Sequence, residues 1–192
     1  MISGARSVYV LLLVLPALCF GQGFDLAALM REMAQVQSST TRFVETRHLA
    51  MLTRPLELKG SLTYERPNRL TKHVESPFDE MLTVDGEALS MVNRTKGEQR
   101  FLSLKEQPAL RALVESIRAT LAGDGAQLER HYRVKFSGKE SSWQLQLVPR
   151  DAQLRSYVES ITLSGSGARV QRIEALEGAG DRSVMTILHD GK

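Results

Sequence analysis

Apolar and polar residues alternate in the stretch of the chain that leads to Arg66. On one side of this alternation, at every second position except Gly60, stand apolar or aromatic side chains: Leu56, Leu58, Leu62 and Tyr64. This period of two predicts a half-buried β-strand. Because Pro67 has no backbone N–H to donate, strand pairing is expected to stop there. Arg66 is therefore expected at the edge of the apolar face of a sheet.

Similar strand patterns, separated by turn signals, recur along most of the chain. Asp85-Gly86 is one of the strongest of these signals and predicts a two-residue hairpin. The patterns predict about ten to eleven strands, at residues 40–51, 56–65, 70–75, 81–84, 88–92, 99–104, 132–137, 143–148, 158–164, 170–176 and 183–188.

Two segments show helical spacing of their apolar residues instead. The first begins after a predicted N-cap at Asp25 and extends to about Gln37; the second begins at Pro108 and ends at Gly123. So many strands in one antiparallel sheet must curl to bury one face. The sequence thus predicts a mainly β, α+β fold: an incomplete, half-open antiparallel β-barrel with a helical lid over a hydrophobic cavity.

The N-terminus has the features of a secretory signal. Arg6 precedes an apolar run from Val8 to Phe20, which is too short to cross a bilayer comfortably. Cleavage after Gly21 is the first expectation, giving a signal peptide at residues 1–21 and a single domain at residues 22–192. Lipid attachment at Cys19 is the alternative, although Leu18 is not the small residue that it would require.

Composition and motifs exclude several classes of function. The net charge is only +3, and acidic and basic residues are mixed, so nucleic acid is not expected as a partner. Four histidines are scattered without metal-ligand spacing, and no Gly-x-Ser-x-Gly motif occurs. Asp79 and Glu80 would point to opposite faces of a strand. We therefore expect no catalytic site, metal or cofactor.

Two segments resemble the LolA family of periplasmic lipoprotein carriers: ERPNRL at residues 65–70, followed by SPFDEMLTVDG at residues 76–86. The resemblance implies a soluble periplasmic carrier that binds the acyl chains of a lipoprotein and moves it between membranes. It also implies that Arg66 holds the lid closed through hydrogen bonds to backbone carbonyls of the lid. An inner-membrane donor complex, an outer-membrane acceptor, transient membrane contact and a monomeric state are the corresponding expectations.

The expected cavity wall combines the strand and helix stripes. Its candidate residues are Leu29, Met30, Met33, Phe43, Leu58, Leu62, Tyr64, Leu70, Leu82, Leu113 and Ile117. The family often has aromatic residues just after its Arg-Pro, whereas this chain has Leu70 and Lys72 there, and the charge of Lys72 is hard to place in such a cavity. Family members also commonly continue past the final strand, whereas this chain ends at Lys192, soon after it. These departures favour a specialised relative with a glycolipid-type or other amphiphile as cargo. A lipid-sensing or regulatory binding module with the same fold is the alternative.

Overall fold

Residues 23–189 are described by the computed structural model, and most of them belong to one antiparallel sheet. Its strands are β1 (Ser38–His48), β2 (Leu56–Glu65), β3 (Arg69–Ser76), β4 (Glu80–Asp85), β5 (Ala88–Asn93), β6 (Glu98–Ser103), β7 (Tyr132–Lys139), β8 (Ser142–Pro149), β9 (Val158–Ser166), β10 (Arg169–Glu177) and β11 (Arg182–Leu188). The helices are α1 (Leu26–Met33), α2 (Pro108–Ala122), α3 (Gly125–His131) and α4 (Ala152–Arg155), with a 3-10 turn at Leu104–Glu106.

The strand order is β6-β5-β4-β3-β2-β1-β11-β10-β9-β8-β7. Two meanders, β1 to β6 and β7 to β11, therefore join in the middle, where β1 pairs with β11. Phe43 lies opposite both Ile187 and Gly60 at this junction. Because β6 and β7 lie at the two edges, the sheet remains open, as predicted for an incomplete barrel.

Helix α2 has the start and stop signals that the sequence predicts. Pro108 occupies the first turn, where a backbone N–H would have no partner within the helix, so its absence costs no hydrogen bond. Gly123 ends the helix in the left-handed conformation, with φ of 71°. A Cβ at Gly123 would lie 2.2 Å from the carbonyl oxygen of Met30, so this glycine also lets α1 approach the end of α2 closely.

Differences from the predicted elements are small and local. Helix α1 ends at Met33, not near Gln37, and β1 then begins at Ser38. The short helices α3 and α4 were not predicted, because they span too few residues to show a period. The predicted signal segment at residues 1–21 and the candidate lipidation site Cys19 lie outside the described residues.

Candidate functional site

An apolar cavity of about 420 Å³ lies between α2 and one face of the sheet. Strands from both meanders form its wall, and α2 covers it. Most of the lining side chains are apolar: Leu56, Leu58, Leu62, Leu70, Val74, Phe78, Leu82, Val84, Met91, Leu110, Leu113, Val114, Ile117, Val158, Ile173, Ala175 and Met185. Its size falls within the range of about 300–1,000 Å³ that is typical of small-molecule sites.

Six of the eleven predicted cavity residues lie together in this wall. They are Leu58, Leu62, Leu70, Leu82, Leu113 and Ile117. The other five, Leu29, Met30, Met33, Phe43 and Tyr64, are at most 6 % exposed and belong to packed core clusters. The methionines of α1 thus pack in the core beside the cavity, and α2 supplies the helical part of the wall.

Arg66 lies in the turn between β2 and β3, with its side chain directed toward the end of α2. Its Nη2 donates a hydrogen bond of 2.9 Å to the carbonyl oxygen of Ala122, the last residue of α2. The carbonyls in the last turn of a helix have no partner within the helix, so they are natural acceptors for an arginine. This contact is solvent-exposed, and its contribution to stability is therefore expected to be small.

A second arginine, which belongs to α2 itself, connects the helix to turns of the sheet. Arg118 of α2 donates from Nη1 to the carbonyl oxygen of Gly86, 2.7 Å away, and from Nη2 to the carbonyl oxygen of Asn68. It thereby joins the helix to the β2–β3 turn and the β4–β5 turn. Burial lowers the pKa of the Arg118 guanidinium, while Asp85 and Glu115 act in the opposite direction. Both of its hydrogen bonds are partly buried, unlike that of Arg66.

Three polar side chains meet inside the cavity wall. Glu45 accepts a hydrogen bond on Oε2 from Lys72 Nζ and one of 2.6 Å on Oε1 from Ser183 Oγ. The Lys72 ammonium also lies 5.3 Å from the centre of the Phe43 ring, within the distance of a cation–π contact. Lys72 is thus accommodated in the cavity wall by a buried carboxylate.

Within residues 23–189, no group of three or more histidine, cysteine or acidic side chains is arranged to hold a metal ion. His73 does contact Asp79, with Nε2 2.8 Å from Oδ1, and this hydrogen bond, together with Arg94, lowers the pKa of Asp79 although partial desolvation opposes it. Neither residue lines the cavity. No helix in the described part of the chain is long and apolar enough to cross a membrane.

Sequence comparison identifies the family to which these features correspond. A family model described as outer membrane lipoprotein carrier protein LolA-like matches residues 20–190. The chain belongs to this LolA-like family. No curated protein sequence matches it significantly.

Structure comparison finds matches to solved structures at low sequence identity. A LolA superfamily protein from Nitrosomonas europaea is 11 % identical, with a TM-score of 0.43 over 86 % of this chain and 94 % of that chain. An outer membrane lipoprotein-sorting protein domain from Vibrio parahaemolyticus is 8 % identical, with a TM-score of 0.47 over 87 % and 90 %. The MucA/MucB complex from Pseudomonas aeruginosa is 17 % identical, with a TM-score of 0.38 over 85 % and 55 %. Family membership therefore rests on the sequence match.

Two charged residues of this LolA-like site, Arg118 and Glu45, were not predicted, although the sequence contains a pattern that indicates each of them. Arg118 follows Val114 by four residues and precedes Leu121 by three, which places a cation beside the apolar stripe of α2. Glu45 follows Phe43 by two residues and so lies on the same face of β1. In both cases a charged residue at an apolar position indicates a specific partner.

Proposed function

We propose that this LolA-like protein is a non-enzymatic carrier that binds the acyl chains of a lipoprotein or another amphiphile in the cavity beneath α2. The apolar cavity of about 420 Å³ is the single observation that supports this function best. It combines an apolar wall with a helical cover whose C-terminal part is held by hydrogen bonds from Arg66 and Arg118. Non-covalent binding there requires neither a nucleophile nor a cofactor.

The energetics favour binding of an alkyl chain. Burial of each methylene contributes about 0.8 kcal/mol, so ten methylenes contribute on the order of 8 kcal/mol. A hydrogen bond from a charged donor contributes about 1.5–3 kcal/mol. The few bonds made by Arg66 and Arg118 can therefore be broken and re-formed as a chain enters or leaves. In this proposal both arginines hold α2 over the empty cavity.

The cellular setting of the proposal is the envelope. We infer that the protein acts in the periplasm, receives its cargo from an inner-membrane donor and delivers it to an outer-membrane acceptor. Contact with each membrane would be transient, and the carrier would be a monomer. Family membership supports this route, since the family description names an outer membrane lipoprotein carrier.

Two variants on one strand provide a direct test. Leu82 of β4 lines the cavity, whereas its neighbour Met81 points to the other face of the sheet. Leu82→Trp should fill part of the cavity and lower the amount of bound amphiphile, while Met81→Trp should leave that amount unchanged.

The measurement is mass spectrometry of lipids extracted from each protein after purification from a bacterial envelope. Wild type and Met81→Trp should retain an acyl-chain amphiphile at close to one per protein, and Leu82→Trp much less. A folded wild type that retains no lipid and binds no added acyl-chain probe would reject the carrier function. An empty cavity combined with a tight protein partner would instead favour a sensor.

A further inference from the structure

The polar cluster of Glu45, Lys72 and Ser183 lies at the centre of the cavity wall. Glu45 of β1 lies opposite Leu58 of β2 on one side and Met185 of β11 on the other. Lys72 of β3 lies opposite Leu62 of β2 and Leu82 of β4. All four of these neighbours line the cavity. The cluster is therefore bordered by apolar residues of the wall, and Arg47 lies opposite Ser183 at its other side.

Stability alone gives little reason for such a site. The Glu45 side chain is only 6 % exposed, and removing a charged pair from water costs more than it returns unless the remaining hydrogen-bonding groups are also satisfied. Apolar residues of similar volume often serve a core equally well. A polar pair in a binding cavity is instead suited to recognising a polar group of the ligand.

The hydrogen-bonding capacity of the cluster indicates what that group must be. Both carboxylate oxygens of Glu45 already accept hydrogen bonds, from Lys72 and from Ser183. An ammonium has three donors, and in residues 23–189 Lys72 makes one hydrogen bond, to Glu45. Its side chain is 23 % exposed and lines the cavity, so a donor remains for an acceptor on the ligand.

The charges around the cavity indicate that this acceptor is uncharged. The wall has three carboxylates and two cations: Glu45, Glu80, Glu177, Arg47 and Lys72. Lys72 forms an ion pair with Glu45, and Arg47 forms one with Glu177, with Nη2 3.8 Å from Oε1. No cation is left over to neutralise an anionic ligand, and the extra carboxylate would repel one.

We propose that Lys72, held by Glu45 and Ser183, donates a hydrogen bond to a carbonyl oxygen of an ester or amide in the bound amphiphile. This inference rests on the proposed carrier function and assigns its ligand class: neutral chains with an internal carbonyl, in preference to alkanes or fatty-acid anions. The cluster would thus set the position of the chain as well as the selectivity of the cavity.

A competition experiment with matched ligands tests this assignment. Methyl palmitate, octadecane and palmitate, each delivered from cyclodextrin, compete with the apolar fluorophore diphenylhexatriene for the delipidated full-length mature protein. Wild type should bind methyl palmitate about tenfold more tightly than octadecane, a difference of about 1.4 kcal/mol. It should also bind palmitate more weakly than its methyl ester.

The double variant Glu45→Gln/Lys72→Met removes both charges while keeping an acceptor for Ser183. It should still bind diphenylhexatriene, which reports an intact cavity, but should lose the preference for the ester. The control Arg42→Met/Glu75→Gln removes an ion pair that joins the same two strands, β1 and β3, but does not line the cavity, and it should keep the preference.

The outcomes separate the two proposals. Equal binding of ester and alkane by wild type, a retained preference in the Glu45→Gln/Lys72→Met variant, or stronger binding of palmitate than of its ester would overturn the carbonyl assignment while leaving the carrier function intact. The comparison of ligands in wild type needs no substitution, so it decides even if the variant fails to fold. Absence of all binding by folded wild type would overturn the carrier function, and the assignment with it.

Discussion

One half of the molecule is a packed core, whereas the other contains a cavity, although each is built from helices on the same sheet. In the packed half, α1 and α3 cover strands of the β7 to β11 meander, and Leu29, Leu128, Leu145, Leu147 and Leu163 are all 0 % exposed. In the open half, α2 covers β2 to β5, where Leu62, Leu82 and Met91 remain only half-buried.

The difference arises from how each helix is fixed to the sheet. In the packed half, fully buried side chains of α1 and α3, such as Leu29, Met33 and Leu128, belong to the same core cluster as the sheet residues beneath them. In the open half, Arg66 and Arg118 fix the C-terminal part of α2 to the turns at the sheet edge. The packed part thus contributes mainly to stability, whereas binding is expected beneath α2, in a cavity whose wall also includes residues of β9 to β11.

Truncation of a core leucine should give the largest difference between the halves. Leu147→Ala in the packed half should lower the free energy of unfolding by about 2–5 kcal/mol, because it leaves a cavity in dense surroundings. Leu62→Ala, beside space that already exists, should cost about 1 kcal/mol. Urea denaturation of both variants measures the two values. Equal losses would contradict the division into a packed and an open half.

The removal of Arg118 should loosen α2 without disturbing the packed half. Arg118→Met loses two hydrogen bonds from a charged donor, and we expect a loss of about 1.5–3 kcal/mol, together with faster hydrogen exchange of α2 amides. Arg66→Met, which loses one exposed bond, should cost about 0.5 kcal/mol.

Arg111→Met is the matched control for Arg118→Met on the same helix. Arg111 forms an i,i+4 pair with Glu115, which contributes about 0.3–0.5 kcal/mol. Hydrogen exchange of α2 in this variant should remain close to that of wild type. If Arg66→Met opened α2 more than Arg118→Met, Arg66 would be the main attachment of the helix.

Much of this arrangement could be predicted from local sequence patterns, and the remainder depends on contacts between distant residues. Alternation identified the strands, and Pro108 and Gly123 marked the ends of α2. The partner of Lys72 could not be identified in this way, because Glu45 is 27 positions away and reaches it through strand register. The separation of core from cavity residues likewise depends on which helix covers which strands.

Enlargement of side chains should also destabilise the packed half more than the open half. Leu163→Phe should destabilise the protein by about 1–3 kcal/mol, because its surroundings have no free volume. Leu82→Phe can place its ring in the cavity and should change stability by less than about 1 kcal/mol. Thermal unfolding of the delipidated variants compares them, and a larger loss for Leu82→Phe would show that the open half is closely packed after all.

The smallest expected effect is a pH dependence in the packed half, on the face of β10 opposite the cavity. Burial alone would raise the pKa of Glu174, but hydrogen bonds from Arg182 and Arg172 outweigh it and leave the pKa below its ordinary value of 4.5. Because the folded state then binds the proton less tightly than the unfolded state, this contribution is fully present above pH 4.5 and is lost as the pH falls through the folded-state pKa. Glu174→Gln should therefore reduce the slope of unfolding free energy against pH in that acidic range.

Glu159 on β9 offers a control for this titration, since it is exposed and makes no ion pair in the described part of the chain. Glu159→Gln should leave the acidic slope close to that of wild type in urea denaturation followed from pH 6 down to about pH 3, a range that includes the ordinary carboxyl pKa values. Ligand binding at neutral pH should be unchanged in both variants, because Glu174 lies across the sheet from the lining residues Ile173 and Ala175. A change in binding by Glu174→Gln would mean that the two faces of β10 are coupled, and that stability and binding are less separate than the division of the molecule suggests.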